Sequence, residues 1–120
     1  MPISDPAAFS RVVLEANDPV LVEFSSTWCP PCRVLEQALR ELGSEFPSLP
    51  VEHVDVDQAT ELAARYGVRS VPTLLAFHRG QVTAAQVGFP GKHRLRAFLS
   101  MAVERGGAAA GLQSSGRMTA

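Results

Sequence analysis

Two short runs, Val20 to Ser25 and Thr73 to Phe77, constrain the fold more than any other feature of this 120-residue chain. Both are rich in apolar and β-branched residues and too short for ordinary helices, which suits strands buried in a sheet. Helical patterns surround them. Ser4 or Asp5 before Pro6 is a helix start. Phe9, Val12, Val13 and Ala16 then recur at helical spacing until Asn17-Asp18-Pro19 breaks the pattern. After Cys29, the residues Val34, Leu35, Ala38, Leu39 and Leu42 form one apolar stripe. Arg33, Glu36, Gln37, Arg40 and Glu41 fall mainly opposite, with Glu36 and Arg40 spaced for an i,i+4 ion pair. This helix is expected to end between Gly43 and Phe46, before Pro47.

The alternation continues with a strand over Val51 to Val56 and a short helix over Thr60 to Tyr66, stopped by Gly67. The strand 73–77 follows, then a tight turn at His78-Arg79-Gly80 and a strand from Gln81 to Val87. Beyond the loop Gly88-Phe89-Pro90, a helix from about Lys92 to Glu104 turns Leu95, Phe98, Leu99 and Ala102 inward. The order α-β-α-β-α-β-β-α predicts an α/β fold. Its central mixed sheet is expected to be mainly parallel, with an antiparallel edge hairpin, and flanked by helices. Residues 1–105 make one domain. Residues 106–120 are small and polar with no apolar face, and read as a disordered tail.

Charge and composition exclude several functions. A formal charge of -1 gives no field for nucleic acid or an acidic membrane surface. No apolar run is long enough for a spanning helix. The first residues lack a basic start and an apolar stretch, so a cytoplasmic location is expected. A monomer is expected, with no nucleic-acid or membrane partner.

Only two cysteines occur, Cys29 and Cys32. A bridge between them closes too short a loop to stabilise the chain much, so the pair reads as chemical rather than structural. A useful attacking sulfur must be a thiolate and must be accessible. Cys29 falls where a helix begins, and there the free N–H groups and the helix dipole favour an anion. Cys32, about one turn on, can point back and attack a mixed disulfide held on Cys29. Half a zinc site is the duller reading, but His53, His78 and His93 are scattered, and no metal is expected. His78 and His93 are expected in solvent. Glu23 interrupts an apolar strand, where a carboxylate is costly to bury. It is either a strand residue that escapes to solvent or a desolvated base with a raised pKa.

An ordered series of segments is similar to the thioredoxin family over about residues 5–104. Trp28-Cys29-Pro30-Pro31-Cys32 follows the strand Val20-Leu21-Val22-Glu23-Phe24. Val54-Asp55-Val56-Asp57, then Tyr66-Gly67-Val68-Arg69-Ser70-Val71-Pro72-Thr73-Leu74, then Phe77-His78-Arg79-Gly80 and Val87-Gly88 complete it. The resemblance implies a thioredoxin fold and a thiol–disulfide oxidoreductase that reduces protein disulfides, with Cys29 attacking and Cys32 resolving. It implies a redox-active Cys29–Cys32 disulfide and no bound cofactor. It implies a cis peptide between Val71 and Pro72 and a client surface made of Trp28, Pro30, Val71, Pro72, Gly88 and Phe89. Glu23 stands where the family commonly buries an Asp that moves the proton of the resolving Cys, so a catalytic role follows for it. Disulfide-containing proteins are the implied substrates, and an NADPH-dependent thioredoxin reductase is the implied electron donor.

Three departures stand out. Pro30-Pro31 replaces the commoner Gly-Pro spacer, removing an N–H donor near Cys29 and stiffening the loop. His53 replaces a Lys found near the buried acid, exchanging a permanent cation for a titrating one. Gln37 replaces a helix-kinking proline. The alternative functions are a binding or chaperone module with incidental redox activity, and a disulfide oxidase or isomerase.

Overall fold

The computed structural model describes the backbone of residues 2–111 and the side chains of residues 2–106. Helix α1 (Pro6–Phe9) begins at Asp5, whose carboxylate accepts the Ala8 N–H at 2.8 Å. It runs straight into a π-helical turn, Ser10–Leu14, in which the Glu15 N–H reaches back to the Ser10 carbonyl. The wider turn leaves Phe9 and Val13 inside and puts Val12 in solvent, so the expected four-residue stripe is narrower than its spacing suggests.

Strand β1 (Val20–Ser25) is buried throughout. Helix α2 (Pro30–Leu42) follows, tightening into a 3-10 turn at Gly43–Glu45. Its inner face is Cys32, Leu35, Ala38, Leu39 and Leu42, with Val34 exposed. Glu36 pairs with Arg33 at 3.2 Å rather than with Arg40, because the Ser26 carbonyl accepts from the Arg33 guanidinium at 2.9 Å and holds it alongside. Strand β2 (Val51–Asp55) and helix α3 (Thr60–Arg65) come next, with Gly67 at φ +67 just beyond the helix. Strand β3 (Thr73–His78) runs one residue further than expected, which draws His78 out of the turn and buries it, while His93 is exposed as expected. Arg79 and Gly80 both have positive φ, the two-residue hairpin geometry that suits twisted strands, and lead into β4 (Gln81–Val87).

The sheet order is β2-β1-β3-β4. The β1–β2 pair is parallel, whereas β1–β3 and β3–β4 are antiparallel. The sheet is mixed, as expected, but it is not mainly parallel. The connection over residues 56–72 is long enough for a parallel crossover, but the chain instead re-enters beside β1 and runs against it. Ile3 adds a parallel bridge to Val54 at the β2 edge, donating its N–H to the His53 carbonyl at 2.7 Å.

Period-two alternation along β1 sorts the core into two layers. Val20, Val22 and Phe24 face Phe9, Val13 and Leu62. Leu21 faces the opposite layer, where Leu35, Leu39 and Leu42 of α2 meet Leu95, Phe98 and Leu99 of the last helix. That helix, α4, spans Lys92–Gly111. It continues beyond Glu104 into the segment read as a tail from 106, since Ala108, Ala109 and Ala110 favour helix. The rest of that segment, 112–120, lies outside the described residues.

Candidate active site

The dithiol pair sits where β1 hands the chain to α2. Cys29 is the N-cap of α2, with extended backbone, and Pro30 and Pro31 occupy the first helical positions. Neither proline has an N–H. The first donor past Cys29 is therefore Cys32, whose N–H points at Cys29 Sγ at 3.2 Å. The two cysteines are joined as a disulfide with Cα atoms 5.3 Å apart. Cys32 is fully buried, and Cys29 is the member of the pair that reaches a surface groove of about 460 Å³.

One wall of that groove is Trp28, Cys29 and Pro31, and the other is Val68, Arg69, Ser70 and Val71. The Val71–Pro72 peptide is cis. Thr73 fastens the segment by donating its hydroxyl to the Ser70 carbonyl at 2.8 Å, and the Gly88 N–H donates to the Pro72 carbonyl at 2.8 Å. The structure therefore brings Trp28 and Val71 to the groove beside Cys29, and sets Pro72 and Gly88 directly behind it. Pro30 is exposed on the helix start. Phe89 is half-buried against the α2–α4 layer rather than on the groove wall.

Trp28 is 68% exposed, so it is not a packing residue. Its indole N–H donates to Asp57 Oδ2 at 3.1 Å, and Ser26 donates its hydroxyl to the same oxygen at 2.7 Å. Asp55 in turn accepts the Asp57 N–H at 2.9 Å. Sequence reasoning quoted Asp57 and Arg69 only as parts of motifs and passed over Ser26. The signal lay in where Asp57 falls, just past a strand end beside the one that delivers Trp28.

Glu23 is completely buried. By alternation it shares the face of Leu21 and Ser25, toward α2. Its Oε1 lies 2.7 Å from His53 Nδ1, and its Oε2 has no hydrogen-bond partner. Burial pushes the Glu23 carboxyl up, the hydrogen bond to His53 pulls it down, and the nearby Glu36 adds to the rise. The same hydrogen bond raises the His53 imidazole, against a smaller opposing effect of its own burial. Glu23, Glu36 and His53 each bring one metal-ligating atom to within 4.8 Å of the others. Arg33 already holds Glu36 and His53 holds one oxygen of Glu23.

Gln37 continues α2 without a break and donates its side-chain amide to Glu41 at 3.2 Å. No helix among the described residues is long and apolar enough to cross a membrane.

Comparison with known proteins agrees with this geometry. The family model for thioredoxin matches residues 2–101. Thioredoxin C-2 of Corynebacterium nephridii is 39% identical over 92 residues, covering 76% of this chain and 85% of that protein. A bifunctional thioredoxin reductase/thioredoxin of Mycobacterium leprae is 42% identical over 95 residues, which are 78% of this chain and 21% of that one. The oxidised form of mitochondrial thioredoxin 3 from Saccharomyces cerevisiae shares the fold, with a TM-score of 0.76, 23% identity, and coverage of 84% and 93% of the two chains. Matches of this extent make the chain a member of the thioredoxin family, and its activity is the reduction of protein disulfides by thiol–disulfide exchange.

Proposed function

We propose that Cys29 is the attacking thiolate of this exchange, that Cys32 resolves it, and that Glu23 takes the Cys32 proton. The observation that carries the reading is the placement of the two cysteines: Cys29, 3% exposed, lines the groove at a helix start, while Cys32 is fully buried and lines none of it. Cys29 Sγ⁻ attacks a client disulfide, forming a mixed disulfide and releasing one client thiolate. Cys32 gives its proton to the Glu23 carboxylate. Its sulfur then attacks Cys29 Sγ, forming the Cys29–Cys32 disulfide and releasing the second client thiolate. Two electrons pass to the client.

Trp28 and Val71 flank an extended client segment, whose backbone pairs at the residue before Pro72 as an added strand. Gly88 holds the Pro72 carbonyl through its N–H, Pro30 lies exposed at the helix start, and Phe89, packed against the α2–α4 layer, takes no part. The dithiol is restored by an NADPH-dependent thioredoxin reductase, a reading supported by the Mycobacterium leprae relative that bears both names. Cysteine, acid and groove all come from one chain, which supports a working monomer. A reducing cytoplasm would keep the pair ready for use.

Cys32→Ser should accumulate a covalent complex with insulin through Cys29. No complex, with Cys29 still open to alkylation, removes the assignment. A midpoint potential nearer about -270 mV than about -120 mV would match a reductase rather than an oxidase.

A further inference from the structure

Glu23 has no surface of its own, so a proton placed on it needs a way out. The groups around it offer one. His53 Nδ1 lies 2.7 Å from Glu23 Oε1, and an ionised carboxylate can only accept, so Nδ1 is the donor. The His53 side chain is 44% exposed. It lines an open cavity of about 440 Å³ that shares no lining residue with the client groove, and Glu23 does not line it. Among the described residues, His53 donates to the buried carboxyl and lines that cavity; Glu36 also lies beside Glu23 and lines the cavity, but is held by Arg33. The remaining charged groups around His53 are Arg33, Glu36 and Arg40 on α2, and Glu52 and Asp55 on β2. Arg33 is held by Glu36 and by the Ser26 carbonyl.

We propose that His53 is the positioning and proton-exit residue for Glu23: its imidazolium keeps the buried carboxylate ionised to receive the Cys32 proton, then releases a proton to cavity water once the carboxylate is neutralised. The proposal rests on Glu23 acting as the acceptor. The balance is simple. Before resolution, Glu23 is a carboxylate and His53 carries protons on both nitrogens. The Cys32 proton bonds to a Glu23 oxygen, and the imidazolium loses its counter-charge. Its Nε2 proton then passes to water, so one proton leaves for each one received. When a reductase returns two electrons to the disulfide, the Cys32 sulfur recovers a proton from Glu23 and His53 takes one up from water. His53 thus stays outside the thiol chemistry and sets the pH range over which Glu23 can serve it.

The resolving step can be read in stopped flow from Trp28, the single tryptophan, using reduced full-length protein and excess insulin. His53→Gln should slow the step about tenfold near neutral pH, as loss of a general-base partner does. The acid limb of its pH profile should move upward, because Glu23 loses the partner that holds it ionised. The two profiles should converge in alkali, where solvent takes the Cys32 proton directly. Free imidazole should restore part of the rate in His53→Gln and none in Glu23→Gln. If His53→Gln overlays wild type while Glu23→Gln is slow, the exit role is overturned and the base stands. If Glu23→Gln overlays wild type, the base itself falls. A His53→Gln rate that is lowered equally at every pH and unmoved by imidazole marks a packing role and also overturns the proposal.

Discussion

The two faces of β1 are built to different ends. Val20, Val22 and Phe24 point into a layer in which Phe9, Tyr66 and Phe77 pack edge to face or tilted, with ring centres 5.3–5.6 Å apart. Leu21 and Glu23 point into the layer beneath α2, where a buried carboxyl has one oxygen unpartnered. The first face is optimised for packing. The second gives up stability to keep an ionisable group behind the disulfide. A strand one residue out of register would exchange these roles, which is why the alternation matters to function as well as to folding.

Substitutions can break this contrast, and the largest effect should fall on the aromatic face. Phe77→Ala should cost about 3–5 kcal/mol in denaturant unfolding, by removing a fully buried ring from a cluster that cannot collapse around it. The midpoint potential of the folded fraction should hold. Glu23→Leu should do the opposite, raising neutral-pH stability by about 1–4 kcal/mol while slowing the resolving step. Its pH dependence has a definite sign. Because burial raises the Glu23 carboxyl, wild type loses stability as pH rises through the folded value. The advantage of the variant should therefore be smallest in acid and grow toward neutrality. A flat difference across pH would mean that Glu23 does not titrate within the fold.

Asp57→Ala sharpens the comparison at the site's edge. Losing the shared acceptor of Trp28 and Ser26 should cost about 1–3 kcal/mol. Trp28 fluorescence anisotropy should drop, and KM for insulin should rise more than kcat falls. Val34→Ala, on the exposed side of α2, should change stability by no more than about 0.5 kcal/mol and leave insulin reduction unchanged.

Much of this was legible in the sequence. The runs at 20–25 and 73–77 read as buried strands because they are short and rich in apolar and β-branched residues, and Leu95, Phe98, Leu99 and Ala102 turned inward as their spacing required. Periodicity carries no information about direction, so the antiparallel entry of β3 was lost to a rule about alternation. It also carries none about helix pitch, hence the exposed Val12 beside the π turn. At the site, the cysteine spacing announced its own chemistry. The pairing of Glu23 with His53 was not local: it joins residues 30 apart through parallel register, and only the register Glu23 with His53 across β1 and β2 makes them neighbours.

The small bridge from Ile3 has a consequence for how copies of this protein meet. It occupies part of the outer side of β2, so one margin of the sheet is already spoken for. The other margin, β4, presents Val82 and Val87 to water, and two of its carbonyls, Thr83 and Val87, accept from the Arg105 guanidinium and the Gln86 amide. Among the described residues, strand-to-strand growth at high concentration would start most readily along the apolar stretch at Val82, and a lysine in its place is the economical way to discourage it.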